Sequence, residues 1–227
     1  MGFMTYRVHL FRLLFSMEDD LFRIKKAERI QQLWKVSVVL VLAAIAVYLW
    51  MAYLGLGTER ISGVAVTLSD LTYETSKLWF LLGRGLYAIL FAAFILFFPG
   101  FLFYLLTGIP YQKLVIMQQI VLVVMLMERL LWIPLVIVAG LNWQVSPLSL
   151  GIIASYITEV PWVIYFFGAI TLFQLWIIWF QVKYLSVFSE MKKFVIAINV
   201  ILLHFLGWCL TALTAFGDVY ILSRWFG

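Results

Sequence analysis

Charge is scarce in this chain. Asp, Glu, Lys and Arg make up 12% of its 227 residues, about half of what a soluble domain carries. So few polar groups cannot cover a water-exposed surface when 65% of the residues are hydrophobic, which excludes a soluble globular fold. Cysteine is scarcer still. Cys209 stands alone inside an apolar run, so an internal disulfide and a cysteine-based metal site are both excluded. It reads as a small buried hydrophobe. There is no glycine-rich nucleotide loop, no HExxH and no GxSxG, and so no motif for phosphate binding, zinc hydrolysis or acyl transfer. The expectation is a non-enzyme with no catalytic, cofactor-binding or metal-ligating set. A cleavable leader is not expected either. The first thirty residues hold Glu18, Asp19, Asp20 and several bases, with no short apolar core before a small-residue site.

Apolar and aromatic residues dominate what remains. Mean hydropathy is +1.06, and aromatics reach 18%, with 10 Trp and 11 Tyr, suited to anchoring at membrane interfaces. Lipid is therefore the expected solvent. The net charge of +5 does not suggest nucleic acid, because the bases lie between apolar runs and not on one face of a soluble domain.

Residues 1–33 form a mixed segment. Leu10, Leu14, Met17, Leu21 and Ile24 recur at spacings of three and four, Phe11, Phe15 and Phe22 widen the stripe, and Arg12, Asp19, Arg23, Lys26 and Arg29 lie off it. That spacing predicts an amphipathic helix lying in the interface or docked on protein. Residues 34–227 hold five apolar segments: Lys35 to Leu56, Leu78 to Thr107, Lys113 to Gly140, Pro161 to Lys183, and Phe194 to Phe216. Each approaches or exceeds the roughly 20 residues a helix needs to span. Pro99-Gly100 interrupts the second and predicts a kink, or a helix emerging from the bilayer there. The expected fold is an all-α, polytopic bundle of five transmembrane helices.

Basic residues set the expected orientation. The N-terminal segment, the 108–113 turn and the 183–193 connection hold eleven Lys and Arg, against three on the opposite flanks, Arg60, Lys77 and Arg224. The positive-inside rule then places the N-terminus in the cytoplasm and the C-terminus outside, in a multi-pass protein of the cell membrane.

Four ionisable side chains fall inside spans, where charge is costly and so marks a candidate site. They are Arg84, Glu128, Arg129 and His204. At 1.5 Å per residue, Arg84 lies roughly 9 Å below the outer boundary and Glu128 about 8 Å below it, so an ion pair between the second and third spans is expected. Arg129 points about 100° away from Glu128 and faces another neighbour. His204, with Gln118, Gln119, Gln174 and Gln181, is expected to hydrogen-bond between helices.

Three stretches resemble the Yip domain (Ypt-interacting protein) family, in particular its bacterial branch. Gly108-Ile109-Pro110-Tyr111-Gln112-Lys113-Leu114 opens the third span. Pro147-Leu148-Ser149-Leu150-Gly151 precedes the fourth. Thr171-Leu172-Phe173-Gln174-Leu175-Trp176 lies within it and is followed by a lysine-containing turn. The likeness covers about half the chain. Gln174 and Leu175 depart from the family pattern, and the N-terminal third has no counterpart. The resemblance implies a five-helix, non-enzymatic membrane domain that associates with other membrane proteins, among them subunits of an ABC-type efflux system. A small transporter or channel subunit is the alternative, suggested by the intramembrane charges.

Overall fold

A computed structural model of the chain describes residues 5–58 and 69–217. Arg60 and Arg224 lie outside the described residues, as do the side chains of Phe11 and Phe15. The described residues contain nine α-helices and one pair of short strands. Four helices are long and apolar enough to cross a bilayer, over Leu33–Tyr53, Leu71–Thr107, Tyr111–Ala139 and Lys193–Phe216. Two compact units divide the chain, Met1–Leu130 and Leu131–Gly227.

The first unit begins with strand β1 (Thr5–Arg7), helices α1 (Leu10–Phe15) and α2 (Met17–Lys26), and strand β2 (Arg29–Gln31). β1 and β2 pair in parallel, Tyr6 opposite Ile30 and Arg7 opposite Gln31. The amphipathic segment is therefore not one helix. It breaks at Ser16, whose non-helical backbone (φ −128°, ψ 56°) separates α1 from α2. The break rotates the apolar stripe. Met17, Leu21 and Ile24 are buried as the spacing predicts, but in α1 the buried leucine is Leu13, while Leu10 and Leu14 are half-buried. Tyr6, Val8 and Ala27 complete this small core. Lys113 ties the segment down by donating from Nζ to the Lys25 carbonyl at 3.0 Å.

Helices α3 (Leu33–Tyr53), α4 (Asp70–Thr107) and α5 (Tyr111–Ala139) follow. Lipid tails are as apolar as leucine, so these helices associate through close packing and hydrogen bonds, with little hydrophobic drive between them. Small residues permit the approach. Ala44 of α3 and Ala92 of α4 are fully buried among Leu40, Val47, Leu96, Leu122 and Leu126. α4 runs unbroken through Pro99, so the second apolar segment is one helix and not two. Its 38 residues measure about 57 Å, well beyond a ~30 Å hydrocarbon core. Next to Pro99, the Tyr111 hydroxyl donates to the Phe97 carbonyl at 3.2 Å. Gly108 ends α4 in the left-handed region at φ 67°, a conformation that glycine adopts at no steric cost.

The second unit contains a 3₁₀ turn (Trp143–Val145) and helices α6 (Gly151–Ile157), α7 (Pro161–Gly168), α8 (Leu172–Phe188) and α9 (Lys193–Phe216). The fourth apolar segment starts at Pro161, as its first-turn proline predicts, but it is two helices. α7 stops at Gly168, and α8 starts after Thr171, whose side chain accepts from the Gln174 amide at 3.2 Å. The intervening backbone is paired. Leu150 N–H donates to the Ile170 carbonyl and Leu172 N–H to the Leu148 carbonyl, each at 3.0 Å, around an antiparallel bridge between Ser149 and Thr171. Gly168 lets this connection approach: a Cβ there would sit 2.8 Å from Gln144 Cα. Gly151 is tighter still, and its Cβ would collide with the Gln144 carbonyl oxygen. Trp143 stacks between Trp132 and Tyr165 at 6.2 and 5.9 Å.

Candidate functional site

In the second unit, Gln174 and Gln181 are seven residues apart, two turns of α8, and so share a face. His204 of α9 meets both. Its Nδ1 lies 3.1 Å from Gln174 Oε1 and its Nε2 2.9 Å from Gln181 Oε1. A neutral imidazole has one donor and one acceptor, so such a ring gives its N–H to one of these two oxygens, and its other nitrogen accepts only where the second amide turns its N–H toward the ring. Gln181 is buried. Trp208, one turn along α9, stands 6.1 Å from the imidazole, and Phe166 of α7 packs on Trp208 at 6.3 Å. The sequence expectation for His204 holds, and its two partners are side chains singled out with it.

A second polar contact joins α3 and α5 in the first unit. Gln119 Nε2 donates to the Ser37 hydroxyl and to the Leu33 carbonyl, both at 2.9 Å. Ser37 was not among the expected sites, although it is the one polar residue between Lys35 and Tyr48. Gln118 is fully buried, and among the described residues neither of its amide atoms has a partner, so the interhelical bond expected of it is not found. Its Cγ lies where a side chain at Gly100 would press, 3.6 Å from that Cβ position.

Arg84 lies just beyond the far end of α3. The Arg84 Nη2 donates to the Leu56 carbonyl at 3.3 Å, and the guanidinium lies 5.1 Å from the Phe80 ring. Gly57 leaves room for it, since a Cβ there would collide with Nη2. Arg84 thus ties down the turn that follows α3. Tyr48 of α3 is buried against Tyr87 and Phe91 of α4. Glu128 is buried, and both it and Arg129 are engaged by other groups.

The N-terminal segment carries a buried charge that its sequence pattern did not mark. Asp20 is 1% exposed, and its Oδ1 lies 3.4 Å from Arg12 Nε in an ion pair. Tyr6 beside it is pushed up to about 12, first by burial and then by the Asp20 charge.

Among the described residues no three His, Cys, Asp or Glu side chains converge in a way that could hold a metal. No protein family, no curated protein and no solved structure matches the chain.

Proposed function

We propose that this chain is a non-catalytic accessory protein of the cell membrane that binds, or helps to assemble, another membrane complex. It spans the bilayer five times, with the N-terminus in the cytoplasm. The fifth span, beyond the four long helices, is the α7–α8 pair. The observation that carries the reading is the use made of the intramembrane polar groups. His204 engages Gln174 and Gln181, and Gln119 engages Ser37. Contacts of this kind fix helix packing. The resemblance of the 108–114, 147–151 and 171–176 stretches to the Yip domain family supports the same reading and suggests the subunits of an ABC-type efflux system as the partner.

A transporter or channel subunit is the second reading, favoured by Arg84, Glu128 and Arg129 in the first unit. Liposomes containing the purified chain alone separate the two. The accessory reading expects no ion or solute flux, together with co-purification at fixed stoichiometry with an ATPase and its permease. Flux through the chain alone would overturn it.

A further inference from the structure

Where the N-terminal segment meets α3 and α5, the surface folds into a cleft of about 290 Å³ lined by Ile30, Gln32, Leu33, Trp34, Lys35 and Gln112. Its walls divide by chemistry. Ile30, Leu33 and Trp34 are apolar. Gln32 and Gln112 offer amide groups and Lys35 an ammonium, and none of the six is acidic. A second cation stands at the rim. Arg7 Nε donates to Gln32 Oε1 at 2.7 Å, held there by the β1–β2 register that sets Arg7 opposite Gln31. Trp34 is 63% exposed and leans on Phe97 of α4 with ring centroids 5.7 Å apart. The cleft lies at the start of Leu33–Tyr53, a helix able to cross the bilayer. That level is where tryptophan and lysine meet the lipid headgroups.

The geometry points to a headgroup site: the cleft binds the phosphate of an anionic phospholipid in the leaflet that this end of α3 enters, between Lys35 and Arg7, with Trp34 against the upper acyl chain. An apolar wall beside two cations fits an amphiphile better than a free anion. A membrane surface also supplies negative charge that attracts basic residues near it. The inference does not rest on the accessory reading.

The test uses the full chain in mixed micelles, with retained phosphatidylglycerol and phosphatidylcholine counted by native mass spectrometry. Wild type is expected to keep phosphatidylglycerol in preference to phosphatidylcholine. K35Q and R7Q should each lower phosphatidylglycerol affinity about fivefold, the worth of one basic side chain at a charged surface. K193Q, at an exposed lysine opening α9, should leave it unchanged. Lys35 is exposed, so K35Q decides the matter even if R7Q disturbs the strand pair. An equal loss in K193Q would mean diffuse charge attraction and overturn the site. Equal retention of phosphatidylcholine, or displacement of the lipid by millimolar inorganic phosphate, would overturn it as well.

Discussion

His204 Nε2 and Gln181 Oε1 are 2.9 Å apart between α9 and α8, and the other imidazole nitrogen reaches Gln174. Interhelical hydrogen bonds in membranes average about 0.6 kcal/mol and reach about 1.7. Removing one partner adds the cost of an orphaned buried amide or ring nitrogen, about 1–3 kcal/mol. His204→Leu and Gln181→Leu should each destabilise the second unit. The double substitution should cost clearly less than their sum. Reversible unfolding of the four proteins in mixed micelles reads the cycle, and strict additivity would mean that the contact is not formed.

Gly168 and Gly207 make a contrasting pair. A Cβ at Gly168 meets the Gln144 backbone, whereas one at Gly207 meets nothing within 4 Å. Gly168→Ala should therefore cost at least ~1–3 kcal/mol through overpacking. Gly207→Ala should be neutral or slightly stabilising, because alanine is the better helix former. Thermal aggregation midpoints in detergent compare them directly.

Leu13 and Leu14 separate the observed N-terminal register from the one that the spacing suggests. Leu13 is fully buried and Leu14 only half-buried. Leu13→Asp should expose the segment to protease many-fold faster, and Leu14→Asp much less. The reverse order would restore the single continuous helix.

Tyr6 gives the same segment a response to alkali. Its hydroxyl titrates near 12 in the folded chain against about 10 when unfolded. A group whose pKa is raised by folding contributes stability that is complete below the unfolded value and is lost as pH rises through the folded one. The segment should loosen between about pH 10 and 12, and Tyr6→Phe should remove most of that dependence. Proteolysis rates of the two proteins across this range provide the check.

Orientation is open to labelling. In a Cys209→Ser background, Ser69→Cys should react with an impermeant maleimide from outside intact cells, and Glu190→Cys only after lysis. Both positions are exposed. Reaction at 190 in intact cells would invert the topology.

Much of this architecture could be read from composition. The four long helices follow from apolar runs of sufficient length, and their ends from signals such as Gly108 and Pro110. The fourth segment misled, because Gly168 to Thr171 is as apolar and short as any helical turn. Only the pairing of Leu148 and Leu150 with that stretch makes a break affordable, and such pairing joins residues some twenty positions apart. The strands at Thr5–Arg7 and Arg29–Gln31 leave no legible signal in the sequence, because three residues carry no periodicity. The polar sites divide in the same way. His204, Gln174, Gln181 and Gln119 are conspicuous in apolar runs, and their interhelical bonds follow from the cost of leaving them unpaired. Arg84 was equally conspicuous, yet its contact with the Leu56 carbonyl depends on a bend after α3 that only the folded backbone supplies.

The break between α7 and α8 also bears on synthesis. In the proposed topology, the Ile170 carbonyl and the Leu172 N–H enter the bilayer with no partner in either helix, and such groups are costly in hydrocarbon. Their partners at Leu148 and Leu150 precede them in the chain and so leave the ribosome first. The order of translation thus delivers the loop before the segment that needs it. A permuted chain that made α8 first would present the insertion machinery with that carbonyl and that amide bare.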